Sequence, residues 1–275
     1  MEFWQSILRI LDTQMECPPS FGWYHILCLA VMVALTVIAV VRGKHHSEET
    51  VTKVVFWTAV AVVILEIYKQ INFTFGDGSG APSFQWYAFP FQFCSTPMYI
   101  GLLAGIFRKG RIHDSLCAYL ATYSVFAGLA VMIYPNDVFI ETVGINIQTM
   151  VCHGSMVVIG GYLLGSGHVK LEMKTVLKAM PVFAVCVALA AIMNEVANAA
   201  GLLEEHSFNM FYISPYLECT LPVYSLVHNA VPFPVNLIIY ILGFTAAATV
   251  VLLLCKLIHG LAARTRFRKP VPVAH

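Results

Sequence analysis

Seven apolar stretches divide this chain, and the gaps between them alternate in charge. The stretches cover residues 23–41, 54–71, 89–107, 116–134, 144–164, 176–199 and 233–257. Each approaches the roughly 20 apolar residues that a transmembrane helix needs. Of the 16 Lys and Arg residues, 14 fall in alternate gaps or at the end of the chain. They are Arg42, Lys44 and Lys53; Arg108, Lys109 and Arg111; Lys170, Lys174 and Lys178; and Lys256, Arg264, Arg266, Arg268 and Lys269. The opposite side holds only Arg9 and Lys69, with Glu2, Asp12, Glu16, Asp77, Asp137, Glu141, Glu204, Glu205 and Glu218. Basic loops mark the cytoplasmic side. The pattern therefore predicts an all-α polytopic membrane bundle of seven transmembrane helices, N-terminus outside and C-terminus in the cytoplasm.

Composition supports bilayer as the solvent. The chain is 59% hydrophobic and 11% charged, against about 25% charged in soluble domains. The expected layout is an N-terminal interfacial segment (1–22), the bundle (23–258) and a basic cytoplasmic tail (259–275). Phe3, Trp4, Ile7, Leu8, Ile10 and Leu11 form a short apolar face suited to the outer membrane surface. The first 21 residues lack a continuous apolar core, so the first span is expected to act as an uncleaved signal. The basic residues are accounted for by membrane orientation, and nothing points to nucleic acid. The outer connection 201–231 is long enough to fold back as a lid. The compartment is the plasma membrane in a bacterium and an endomembrane in a eukaryote.

Six of the eight cysteines lie in or at the end of spans, where a thiol usually packs as a small hydrophobe. Cys17 and Cys219 both fall on the outer side and could pair in an oxidising compartment. Neither cysteine nor histidine spacing matches a metal site, and no cofactor is expected.

Orientation also assigns a depth to each polar residue inside a span. Gln92 and Cys94 fall early in span three. His153 lies about two and a half turns into span five, sharing a face with Asn146 and Thr149. Asn194, Glu195 and Asn198 end span six, and Glu66, Lys69 and Gln70 end span two. All occupy the outer half, which predicts one polar cavity open to the outer leaflet. The same side chains also suit hydrogen bonding between helices, and the pattern leaves both uses open. Pro90 at a first helical position would set Cys94 near a helix N-terminus, where dipole and free N–H groups favour a thiolate. Pro97 would then distort the helix beside the thiol. A cysteine so placed, with a buried histidine at similar depth, fits a nucleophile–base pair.

The run Phe89-Pro90-Phe91-Gln92-Phe93-Cys94-Ser95 resembles the Pro-apolar-His/Gln-x-Cys motif of the YwaF-like integral membrane protein family, relatives of vertebrate transmembrane protein one-six-four. His153-Gly154-Ser155 looks like that family's histidine. Asn209-Met210-Phe211-Tyr212, followed by Pro215 and Pro222, resembles its segment before the last span. The resemblance implies a cysteine-dependent acyltransferase acting on phospholipids, with Cys94 as nucleophile and His153 as base. Gln92 stands where many relatives carry His, so His153 would serve alone. Glu195 or Glu66 would orient His153, while Asn194, Asn198, Asn209, Asn146 and Thr149 would line the substrate site. Membrane lipids are the implied partners. The alternative is a transporter or receptor binding a small polar ligand in an outward cavity. Rhodopsin chemistry is discounted, because the last span has no lysine before its cytoplasmic end at Lys256.

The orientation has a direct test. In intact cells, an epitope before residue 1 should bind antibody without permeabilisation and one after residue 275 should not; the reverse pattern refutes it.

Overall fold

The structure, a computed structural model, describes residues 10, 12–76, 81–201, 208–228 and 230–267. Among these residues there is no β-strand, and the fold is a helical bundle. Its helices are α1 (Trp23–Gly43), α2 (Glu48–Phe75), α3 (Thr96–Phe107), α4 (Arg111–Ala121), α5 (Tyr123–Ile133), α6 (Val143–Gly165), α7 (Met173–Ala199) and α8 (Phe233–Phe267). α4 and α5 are two halves of one rod, broken at Thr122 (φ −128°, ψ −76°). The Thr122 hydroxyl donates to the Ala118 carbonyl across the break (2.7 Å). With that rod counted as one, six rods among the described residues are long and apolar enough to cross a membrane, and a seventh, Phe93–Phe107, is shorter.

Local chemistry sets the ends. Ser47 caps α2 by accepting from the Thr50 N–H, and Glu48 and Glu49 complement the dipole in the first turn. Between α3 and α4 the chain reverses through Arg108 (φ 48°) and Gly110 (φ 94°), the second a conformation glycine supplies without strain. α8 continues past the expected end at 257 to Phe267. Of the apolar face expected to lie on the outer surface, only Ile10 is described, and it is exposed.

The third rod departs most from expectation. Residues 89–92 are not helical, 93–95 form a 3₁₀ turn and the α-helix starts only at Thr96. The prolines are the cause. Pro90 holds Phe89 extended (ψ 134°). Pro97 lacks an N–H and falls in the first turn of α3, where no intrahelical bond is lost. So Pro97 starts the helix instead of distorting it, and Cys94 precedes the helix.

Contacts between loops show how the rods alternate. At one end Gly43, His46, Glu48, Asp114, Tyr162, His168 and Lys178 bond to one another across loops, gathering the basic gaps. At the other end Asp12 bonds to Asn72, Gln14 to Thr142, Ser20 to Asn136, and Gln70 to Ala88. The α4–α5 rod is the most enclosed and α1 the least. An aromatic column forms the centre: Tyr123 stacks on Tyr119 and on Phe183 (centroids 5.6 and 4.6 Å), and Tyr240 packs on Phe244 (4.5 Å). The connection before α8 closes this column. Phe208, Met210, Phe211, Ile213 and Ser214 are buried, so this part of the expected lid is an inserted plug.

α2 and α3 meet without spacer side chains: a Cβ at Gly105 would strike Phe56 and one at Gly101 would sit 2.8 Å from Ala59 Cβ. Gly105→Val is expected to destabilise by about 1–3 kcal/mol through overpacking, and Phe56→Ala added to it should restore part of the loss. Thermal unfolding in detergent reads both; equal Tm for Gly105→Val and the unaltered protein removes the close-contact argument.

Candidate active site

Cys94 occupies the 3₁₀ turn that leads into α3. The turn is held from several sides. Tyr99 Oη donates to the Pro90 carbonyl (2.8 Å), and Thr96 Oγ1 donates to the Phe93 carbonyl (2.8 Å) while contacting Tyr119 Oη (2.6 Å). Phe93 packs on Phe183 and Phe244. The Ser95 and Thr96 N–H groups bond the Gln92 carbonyl (2.8 and 3.2 Å), so the N–H groups the turn leaves for a ligand are those before Ser95.

Cys94 lines a cavity of about 30 Å³, with room for a water or two. Thr58, Pro97, Ser124, Cys152 and Ser155 also line it. Val55 and Ile159 mark its far wall, seven residues from the start of α2 and six from the end of α6. That is roughly 10 Å from the basic end at 1.5 Å per residue. The cavity therefore reaches the middle of the bundle, and it is not the outward-opening one expected from the depth pattern.

A polar chain approaches the cavity from the other end. Glu66 is buried and paired with Lys69 (2.7 Å). Its Oε1 also accepts from Gln70 Nε2 (2.8 Å), and its Oε2 accepts from Gln148 Nε2 (3.4 Å). Gln148 Nε2 in turn donates to Cys152 Sγ (3.3 Å), which is on the cavity wall. A buried pair of this kind needs its remaining oxygen satisfied, and Gln148 supplies that bond. Gln148, Cys152 and Ser155 were not singled out as site residues in the sequence. The available signal was the i, i+4 spacing of Gln148 and Cys152 on the span that carries His153.

His153 is fixed on α6. Its Nδ1 donates to the Thr149 carbonyl (2.7 Å), and Nε2 is buried with no partner among the described residues. A ring with Nδ1–H so engaged presents Nε2 as its free lone pair. Thr149 is thus the orienting group; neither Glu66 nor Glu195 is. His153 follows Cys152, about 100° around the helix from the cavity wall, and no hydrogen bond joins it to Cys94.

Two of the five expected substrate contacts, Asn194 and Asn209, and the expected accessory residue Gln92 fasten the plug. Gln92 Nε2 donates to the Asn209 carbonyl and Gln92 Oε1 accepts from the Phe211 N–H (both 2.9 Å). Asn194 Nδ2 donates to the Met210 carbonyl (3.0 Å) and Asn194 Oδ1 accepts from the Met210 N–H (2.8 Å). Asn209 Oδ1 accepts from the Ser214 N–H (2.9 Å). Asn146 bonds both backbone groups of Ile140, and Thr149 Oγ1 donates to Gln148 Oε1 (3.4 Å). Glu195 is exposed and accepts from Tyr216 Oη (2.7 Å); that bond pushes the Tyr216 hydroxyl pKa up. Asn198 is half-buried beside the same hydroxyl. Cys17 and Cys219 are both free thiols; Cys17 is exposed and Cys219 packs against the main core. Among the described residues no group of three His, Cys, Asp or Glu side chains could hold a metal ion.

The chain matches the TMEM164 family over residues 20–256, most of its length. No curated protein and no solved structure matches it.

The two-bond grip of Asn194 on Met210 gives a stability test. Asn194→Ala leaves the buried Met210 N–H unpartnered and its carbonyl with only the long bond from the Ile213 N–H (3.4 Å), and should cost about 1–3 kcal/mol. Glu195→Gln, at an exposed site, should stay within about 0.5 kcal/mol of the unaltered protein. Similar melting of the two variants would contradict the plug's dependence on Asn194.

Proposed function

This chain belongs to the TMEM164 family, and we propose that it is an integral membrane acyltransferase working through a thioester on Cys94. The observation that carries this reading is Cys94 itself. It is a thiol on an irregular turn before a helix, beside an interior cavity. We read Phe93–Phe107 as the seventh, short span, with the basic loop end in the cytoplasm.

In the proposed reaction Sγ attacks the ester carbonyl of a phospholipid and His153 Nε2 takes the thiol proton. N–H groups of the turn before α3 hold the oxyanion. The C–O bond breaks, and the lysolipid oxygen leaves with the proton. A second lysolipid hydroxyl then attacks the thioester, giving its proton to His153, and Cys94 recovers it as the C–S bond breaks. His153 is one residue round the helix from the wall, so a bridging water completes the pair. Catalytic pairs commonly tighten only in the complex.

A transporter reading draws on a different observation. A second cavity of about 300 Å³ at the basic end is lined by Val51, Cys117 and Leu163 together with charged side chains. It is one helical turn from the Cys94 cavity, which Val55, Leu120 and Ile159 line. Together with the polar chain at Glu66, the two cavities would form a gated path for a small polar ligand.

Thiol chemistry separates the two. In proteoliposomes, Cys94→Ala should abolish acyl exchange between labelled phospholipid and lysophospholipid, and His153→Ala should slow it by about 10²–10⁴. Mass spectrometry should find an acyl adduct on Cys94. Full exchange by properly inserted Cys94→Ala refutes the enzyme reading.

A further inference from the structure

We propose that the groove between α1, α2 and α6 holds the acyl chain of the lipid that reacts at Cys94; this rests on the acyltransferase reading and names where its substrate lies. The Cys94 cavity, at about 30 Å³, accepts a carbonyl but not a chain. The chain must occupy adjoining space. The groove provides about 430 Å³, inside the usual range of roughly 300–1,000 Å³ for ligand pockets.

Three residues join the two spaces. Thr58, Ser155 and Ile159 line both the groove and the Cys94 cavity. Ser155 Oγ is turned back to the Cys152 carbonyl (2.7 Å), so the hydroxyl is satisfied within its own helix. Beyond this junction the lining is almost wholly apolar, including Val31, Leu35, Val54 and Val158. Val31 and Leu35 are also open to the lipid side, so a chain can enter sideways.

Dimensions agree with this occupant. The groove follows α1 from Leu27 to Ala39 and α6 from Met150 to Tyr162. Each run is about 18 Å at 1.5 Å per residue, close to the roughly 15 Å of hydrocarbon in one leaflet. Tyr162 closes one end, with its hydroxyl tied to His46 Nδ1 (2.9 Å). Farther along α6 the helices close up, since a Cβ at Gly161 would sit 2.6 Å from Thr36 Cγ2. At Gly154 an added Cβ would meet only ordinary contacts, with Met132 and Met32 at 3.9 Å. Gly154 therefore tolerates an added Cβ, and a longer side chain there would press on Met32 at the groove wall.

The test uses photo-crosslinking in nanodiscs of phosphatidylcholine with a diazirine at the end of one acyl chain. Adducts on Val31, Leu35 and Val158 should exceed, several-fold, those on the lipid-facing controls Trp57 and Ile192. Cys94→Ala should crosslink like the unaltered protein. Gly154→Leu should lose most of the excess, with Gly154→Ala as the folding control and Val158→Phe as a second filling variant. Equal labelling of groove and controls, or labelling unchanged by both fillings, overturns the groove whatever happens at Cys94. Groove adducts without any acyl adduct on Cys94 would uphold the chain site and count against the reaction alone. With both present, Gly154→Leu should shift the chains found on Cys94 toward shorter ones.

Discussion

A broken helix inside a bilayer must find hydrogen bonds for every backbone group it frees, and this fold depends on meeting that demand at two adjacent places. Water and lipid tails offer no partners there. Residues 89–95 and 208–214 are both irregular, and each completes the other. Gln92, from the first, takes up the Asn209 carbonyl and the Phe211 N–H of the second. Asn194 from α7 holds Met210, and Tyr240 from α8 donates to the Phe211 carbonyl (3.0 Å). Phe211 and Tyr212 have positive φ angles (59° and 56°), a strained conformation that persists only when surroundings fix it. The turn that carries Cys94 thus rests on a plug that follows it by more than a hundred residues.

The same demand explains what the sequence disclosed and what it hid. Hydropathy and charge located every rod, because span length and basic loops are properties of the chain against the membrane. Helix starts at Pro90 or Pro97 were ambiguous, since proline suits a first turn and also breaks a later one. Only the packing of Phe93 and the bonds of Thr96 and Tyr99 decide for Pro97. Depth alone put Asn194, Glu195, Glu66 and His153 at one level. It carries no information about rotation, and rotation separates them: Asn194 turns to the plug, Glu195 to the surface, and Glu66 toward Gln148. Gln148 was hidden for the same reason. Its role comes from facing a carboxylate on another rod.

The Glu66–Lys69 pair is the costliest polar feature near Cys94. Pairing in a buried setting recovers desolvation only when the remaining acceptors are filled. Gln70 and Gln148 do this, and the Gln70 amide also bonds the Ala88 carbonyl just before the irregular turn. One network therefore neutralises a buried carboxylate and fastens the turn's leading edge. Its branch through Gln148 to Cys152 reaches the wall of the cavity that Cys94 shares.

A cavity holding only a water or two means that, under the proposed reaction, a neighbouring wall must yield to a lipid. The α4–α5 rod cannot be that wall, because most of it is buried and its tyrosines form the aromatic column. α1 is the opposite case, with little of its apolar length buried. Segments with few buried contacts open at least free-energy cost. Near its basic end α1 is locked by close contacts at Gly161 and Gly165, and by the bond from His168 to the Gly43 carbonyl (3.1 Å). Toward Gly154 those contacts thin out. The other end of α1 is fastened as well, by the bond between buried His25 and the Met132 carbonyl (2.8 Å) and by Tyr24 on Phe139, so the stretch of α1 beside Ser155 lies between two held ends.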